Sequence, residues 1–138
     1  MAPPVLNTIL YVDDEAALLE VTKLFLERAG DITVDTTTNP LEAYEMIMTG
    51  RYDVIVSDYR MPRMDGIVLL KQIRANGSQV PFIIFTGRGR EEVAIEALNS
   101  GADFYLQKGG DPKAQFTELA NAVRQLAGRQ RAEVAVCR

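Results

Sequence analysis

The feature that most constrains this chain is a recurrence of short apolar runs that stop abruptly on polar residues, each followed by a segment with helical spacing. Ile9-Leu10-Tyr11-Val12 stops on Asp13-Asp14-Glu15, Val54-Ile55-Val56 on Ser57-Asp58, and Pro81-Phe82-Ile83-Ile84-Phe85 on Thr86-Gly87. Continuous apolar runs of this length describe strands buried on both faces, the condition of a parallel sheet covered by helices. Ile32, Val34 and Thr36 alternate instead with Thr33, Asp35 and Thr37, the pattern of a half-exposed strand at a sheet edge. Asp103 to Gln107 reads as a short fifth strand that delivers Lys108.

The intervening segments carry helix signals. Leu18, Leu19, Val21, Thr22, Phe25 and Leu26 recur with helical spacing up to Gly30. Asn39-Pro40 supplies a cap and a preset φ, Glu42 a favourable first-turn charge and Gly50 a stop, with Leu41, Tyr44 and Ile47 expected inward. Asp65-Gly66 opens a third helix through Ile67, Leu70, Lys71 and Ile73, closed by Asn76-Gly77. Val93, Ile95, Ala97 and Leu98 precede Gly101, and Asp111-Pro112 starts a last helix with a buried stripe of Phe116, Leu119, Val123 and Leu126, expected to end near Gly128.

Five strands alternating with five helices predict an α/β fold: a single doubly wound, five-stranded parallel sheet with right-handed crossovers. The edge character of the second strand favours the order 2-1-3-4-5, the flavodoxin-like arrangement. Residues 8–127 form the expected folded unit and 128–138 a tail or linker, and no second folded domain is expected in 138 residues.

Composition removes whole classes of function. The chain has no histidine, so Ser-His, Cys-His and His-metal arrangements are excluded. Its single cysteine, Cys137, permits no intrachain disulfide. A formal charge of −4 argues against a general nucleic-acid-binding surface, so no direct nucleic-acid binding is expected. No run approaches the roughly 18 apolar residues of a membrane span, and no leader pattern opens the chain, so a cytoplasmic protein is expected.

In the order 2-1-3-4-5, strands one and three are neighbours, which brings Asp13, Asp14 and Asp58 to one rim of the sheet, outside the carboxyl ends of the strands. Three carboxylates there repel one another or take a cation, and a donor set of hard oxygens suits Mg²⁺ or Mn²⁺. Strands four and five bring Thr86 and Lys108 to the same rim. A hydroxyl and an ammonium opposite a carboxylate-bound metal match the needs of a phosphoryl group, which makes Asp58 a candidate nucleophile. Taken singly, Asp58 also suits a turn cap, Lys108 a solvated loop lysine and Tyr105 a half-buried strand residue. Asp65 and Asp111 read as helix caps, and Arg88 and Arg90 as a solvated helix start.

Across residues 8–127 the chain resembles the receiver domains of two-component response regulators. The resemblance rests on Asp13-Asp14, Asp58, Met61-Pro62, Met64-Asp65-Gly66, Thr86-Gly87, and Tyr105 three residues before Lys108. It implies that Asp58 accepts phosphate from the phosphohistidine of a sensor histidine kinase or phosphotransfer protein. It further implies a metal held by Asp14 directly, Asp13 through water, Asp58, and the backbone carbonyl of Arg60. By the same resemblance Thr86 and Lys108 bind the phosphoryl oxygens and Tyr105 is a rotameric switch, mobile or outward before phosphorylation. The downstream target then meets the face of the fourth helix, fifth strand and fifth helix. Two features depart from the pattern. Gly109-Gly110 stand where the family usually places a proline, commonly cis, and Arg60 and Arg88 occupy positions that tune dephosphorylation in the family.

The implied protein is a signalling module that catalyses only its own phosphorylation and dephosphorylation. With no effector motif after Gly128, it reads either as a single-domain relay or phosphate sink or as the receiver fragment of a longer protein. A Mg²⁺-dependent aspartyl phosphatase wants a second carboxylate two residues after the nucleophile, where this chain has Arg60. A flavin-binding module needs a hydroxyl-rich phosphate loop after the first strand, where Asp13 and Asp14 would repel the phosphate.

Overall fold

A computed structural model describes residues 6–87 and 91–136, with side chains through residue 130. The chain alternates without exception: β1 (Asn7–Val12), α1 (Ala16–Glu27), β2 (Ile32–Thr37), α2 (Pro40–Thr49), β3 (Val54–Ser57), α3 (Gly66–Ala75), β4 (Phe82–Thr86), α4 (Glu91–Asn99), β5 (Phe104–Gln107) and α5 (Pro112–Val136). The strands form one parallel sheet in the order β2-β1-β3-β4-β5.

The central strands are apolar throughout because each of their faces meets a helical layer. Ile9, Tyr11, Val54, Val56, Ile83 and Phe85 pack with α1 and α5, while Leu10, Val12, Ile55, Phe82 and Ile84 pack with α2, α3 and α4. Each fully buried aliphatic side chain contributes about 1.5–3 kcal/mol of transfer free energy, so these strands anchor both cores. The outer edge of β2 is blunted from α1: the Val34 N–H donates to Glu27 Oε2 (2.9 Å), and Lys23 Nζ donates to the Val34 carbonyl (2.5 Å). The Val34 amide also holds the Glu27 carboxyl below the usual carboxylate range.

Helix starts follow the capping chemistry. Asn39 Oδ1 accepts from the Leu41 N–H (3.0 Å), Asp65 Oδ1 from Val68 (2.8 Å) and Asp111 Oδ2 from Ala114 (3.1 Å), each worth about 1 kcal/mol. Asp65 and Asp111 are caps, as their sequence context indicates.

In three helices the buried face is narrower than the run of apolar residues. In α2 the buried positions are Pro40, Ala43 and Ile47, and Leu41 is exposed, because it lies one residue, or about 100°, round the helix from Pro40. In α1, Leu19, Thr22 and Leu26 are buried whereas Val21 faces solvent. In α4 only Ala97 is buried, and Ile95 and Leu98 are exposed. Ile95 is two residues from Ala97, on nearly the opposite side of the helix.

The last helix does not end near Gly128 but continues to Val136, 25 residues in all. A helix-interior glycine costs only about 1 kcal/mol, and tertiary contacts override that. Arg124 Nε and Nη2 clasp the Asp31 carboxylate at 2.7 and 3.0 Å, and Arg129 Nη2 reaches Asp103 Oδ1 at 2.9 Å immediately beyond the glycine.

Candidate functional site

The parallel register carries the site residues to one rim. Val12 pairs with Ser57, Ser57 with Ile84, and Thr86 with Gln107. Backbone bonds then extend the ladder past the strand ends: the Asp13 N–H donates to Thr37 (3.2 Å), Asp58 to Val12 (2.9 Å) and Lys108 to Thr86 (3.0 Å). Asp13, Asp58 and Lys108 thus hang from sheet hydrogen bonds rather than free loops.

Carboxylate oxygens of Asp13, Asp14 and Asp58 lie within 4.8 Å of one another. Asp13 is fully buried, Asp58 nearly so, and Asp14 is exposed. Lys108 reaches over them, its Nζ donating to Asp13 Oδ2 at 2.6 Å and standing 3.6 Å from Asp58 Oδ2. It is therefore hydrogen-bonded to Asp13 and only ion-paired with Asp58. Its Nζ also sits 5.6 Å from the Phe85 ring centroid. Three carboxylates against one ammonium leave a strongly negative cleft of hard oxygen donors, and the donor set fits a divalent cation such as Mg²⁺.

Asp58 Oδ1 accepts from the Tyr59 N–H at 2.8 Å. Burial pushes the Asp58 carboxyl above the usual carboxylate range and the Asp13 charge adds to this, against the opposing pull of Lys108 and a Thr86 hydroxyl hydrogen bond. Behind Asp58 the chain is tight: the Gly66 N–H donates to the Tyr59 carbonyl (2.8 Å), and the space where a Gly66 Cβ would stand is taken by the Asp58 carbonyl oxygen.

Arg60 walls a cavity of about 230 Å³ with Asp14, Met61 and Pro62, next to the acidic cluster. A larger cavity, about 630 Å³, lies between β5 and α5, bounded by Phe104, Leu106 and Thr117 among others. It holds none of the converging carboxylates, so chemistry rather than size singles out the cleft. Arg88 and Arg90 lie outside the described residues.

Tyr105, expected to be mobile or outward, faces the α3–α4 side of the sheet. It is half-buried, its hydroxyl oxygen is covered, and among the described residues no group meets hydrogen-bond geometry to it. Strand alternation puts Tyr105 on the α3–α4 side of β5 and Phe104 and Leu106 on the α5 side. Burial raises its pKa, Gln107 opposing part of that push and Tyr59 adding to it.

The glycines after Lys108 have a physical role. Gly109 and Gly110 have φ of +132° and +78°, and the Gly109 N–H donates to the Gln115 side chain. Proline is locked near −65° and has no N–H, so it cannot occupy this loop as built. No peptide bond among the described residues is cis.

One residue of the site is missing from the sequence-based set. The Tyr11 hydroxyl donates to Asp13 Oδ2 at 2.9 Å. Its pKa lies far above the ordinary tyrosine value, through burial first and the Asp13 charge second, so it remains a donor. The signal was present: residues two apart on a strand share a face, so a polar-tipped residue two before Asp13 points the same way.

A doubly wound parallel sheet with an acidic cleft and an overlying lysine at the carboxyl ends of its strands defines a class of α/β domains whose rim offers hard oxygen donors beside an ammonium group. Comparison with known proteins makes this specific. Residues 9–124 match the family described as the response regulator receiver domain, and the chain belongs to that family. It is 35% identical over 134 residues to response regulator Rre1 of Synechocystis, covering 96% of this chain and 55% of that protein. It is 37% identical over 107 residues to the transcriptional regulatory protein SrrA of Staphylococcus aureus, covering 78% and 44% respectively. The chain thus spans about half the length of these curated relatives. Among solved structures it is similar to the Francisella response regulator 1452 receiver domain, with a TM-score of 0.81, 35% identity and coverage of 90% and 98%. Receiver domains are signalling modules of two-component systems. Among the described residues no helix is long and apolar enough to cross a membrane.

Proposed function

We propose that Asp58 is the phosphoacceptor of a two-component phosphorelay and that residues 8–127 act as the receiver unit, with 128–138 a tail or linker. The observation that carries this reading is the gathering of Asp13, Asp14 and Asp58 within 4.8 Å beneath Lys108. In the transfer, an Asp58 carboxylate oxygen forms the bond to phosphorus as the P–N bond of a partner's phosphohistidine breaks and the imidazole leaves. Asp14, Asp58 and the Arg60 carbonyl, with Asp13 through water, would hold a divalent cation, Mg²⁺ or Mn²⁺, which when bound would neutralise charge on the phosphoryl oxygens. Lys108 neutralises a further oxygen and Thr86 donates a hydrogen bond to another. Hydrolysis of the acyl phosphate resets the switch, so the enzymology is confined to the domain's own phosphorylation and dephosphorylation.

The donor is a sensor histidine kinase or phosphotransfer protein in the cytoplasm. Phosphorylation adds up to about two negative charges beside Thr86 and Lys108. Thr86 moves toward the phosphoryl group, Tyr105 repacks behind it, and the α4-β5-α5 face changes affinity for its target. The exposed Ile95 and Leu98 of α4 suit such a surface. A shift from 1:99 to 99:1 needs about 5.5 kcal/mol, within reach of a few charge-assisted hydrogen bonds at about 1.5–3 kcal/mol each.

Two experiments test this. Thr86→Ala is expected to retain some phosphorylation while losing most of the coupled change, read as the NMR shifts of residues 91–127 on adding beryllofluoride with Mg²⁺. Wild-type shifts confined to the Asp58 pocket would reduce the domain to a phosphate relay or sink. Asp14→Ala is expected to abolish Mg²⁺ binding and phosphorylation while leaving the metal-free protein as stable or more so, because one repelling carboxylate is gone. A clear drop in metal-free melting temperature would contradict that account.

A further inference from the structure

Asp13 is fully buried, and both its oxygens are committed. Oδ1 accepts the Glu15 N–H at 3.0 Å, while Oδ2 accepts two donors, the Tyr11 hydroxyl at 2.9 Å and Lys108 Nζ at 2.6 Å. Lys108 stands a full ångström farther from Asp58, at 3.6 Å, so the lysine that has to meet a phosphoryl group on Asp58 is held by a different carboxylate.

We infer that Tyr11 is a positioning residue for phosphoryl binding: its hydroxyl keeps the buried Asp13 Oδ2 hydrogen-bonded, which lets Lys108 leave Asp13 for the phosphoryl group on Asp58. This rests on the phosphoacceptor reading above. A buried carboxylate oxygen that loses its last donor bears the full desolvation penalty of an unpaired charge, whereas one that keeps a donor does not. Tyr11 is placed for that role and no other polar one. It is fully buried on the α1–α5 side of the sheet, its ring 6.3 Å from Phe85, the same ring that Lys108 overlies. The buried Thr22 hydroxyl acts on the Tyr11 hydroxyl, and the Tyr11 hydroxyl is the donor that reaches Asp13 Oδ2 from this side of the cleft.

The test is Tyr11→Phe in the full chain, which keeps the ring packing and leaves Oδ2 its Lys108 bond in the resting state. Calorimetric titration with Mg²⁺ alone, then with beryllofluoride at saturating Mg²⁺, separates metal binding from phosphoryl binding. Beryllofluoride affinity is expected to fall about tenfold or more, the scale of a hydrogen bond to a charged group. Mg²⁺ affinity should stay within about twofold and the metal-free melting temperature within about 5 °C of wild type, since the resting Oδ2 keeps a donor. Unchanged beryllofluoride affinity overturns the inference. So does an equal loss of Mg²⁺ affinity, or a larger fall in metal-free melting temperature, because Tyr11 would then serve the metal site or the resting fold. If wild type itself takes up no beryllofluoride, the phosphoacceptor reading fails and this one with it. Binding by wild type with no change in Tyr11→Phe removes only the role of Tyr11.

Discussion

Asp58→Asn is expected to abolish acid-labile phosphorylation by acetyl phosphate and, at neutral pH without divalent metal, to raise the melting temperature. The first effect is chemical: an amide cannot form the acyl phosphate, and the other buried carboxylate of the cluster, Asp13, already has both oxygens hydrogen-bonded. The second follows from the electrostatics. Burial raises the folded pKa of Asp58 above its unfolded value, so the folded state holds the proton more tightly. The associated stability is fully present below the ordinary carboxylate range and is lost as pH rises through the raised pKa. At neutral pH the ionised group therefore costs stability, and Asn removes that cost while its side-chain oxygen still accepts the Tyr59 N–H. The gap between variant and wild-type melting temperatures should widen as pH rises above the ordinary carboxylate range, where the raised Asp58 carboxyl ionises. Mass spectrometry showing equal phosphate uptake by the variant would overturn the assignment of Asp58, and a gap that narrows with rising pH would overturn the electrostatic account.

Gly66→Ala is the substitution expected to damage fold and site together. A Cβ built at Gly66 falls 2.3 Å from the Asp58 carbonyl oxygen and 3.1 Å from Ser57 Oγ. The first neighbour is backbone at the end of a central strand and cannot rotate away. Either α3 moves off the sheet, opening the packing of Ile67, Leu69 and Leu70, or Asp58 is displaced from the carboxylate cluster. Overpacking of this kind costs about 3 kcal/mol, a fall of about 10 °C in melting temperature for a domain of this size. Phosphorylation should slow in the same variant, because about 1 Å of misplacement at a reacting group is expensive. A variant with wild-type melting temperature and phosphorylation rate would show that the β3–α3 connection is far more compliant than its geometry.

The receiver relatives sharpen how these outcomes are read. Because the chain spans about half of the curated regulators it matches, an effect on Asp58 chemistry bears on the receiver unit. The proposed coupling to the α4-β5-α5 face is the population shift tested by Thr86→Ala, with Tyr105 partly buried in this structure. Under that proposal the switch repacks a ring that is already partly inside.

The element order, the strand order and the convergence of Asp13, Asp14, Asp58, Thr86 and Lys108 were all determined by the sequence itself. Apolar runs of period-free character mark doubly covered strands, alternation in Ile32–Thr37 marks the edge, and a parallel sheet with short connections brings every strand's carboxyl end to one rim. Helix caps at Asn39, Asp65 and Asp111 were legible for the same reason, since capping is chemistry among residues two or three apart. What required the tertiary structure was every choice among partners distant in sequence. Lys108 and Asp13 are 95 positions apart, and periodicity cannot say which of three carboxylates takes the shorter bond. The outward turn of Leu41, Ile95 and Leu98 and the passage of α5 through Gly128 are of the same kind. Local pattern encodes which residues are apolar and how they repeat. Which face meets the sheet, which ion pair holds a helix past a glycine and which donor reaches a buried carboxylate depend on distances between elements, and those exist only once the layers have packed.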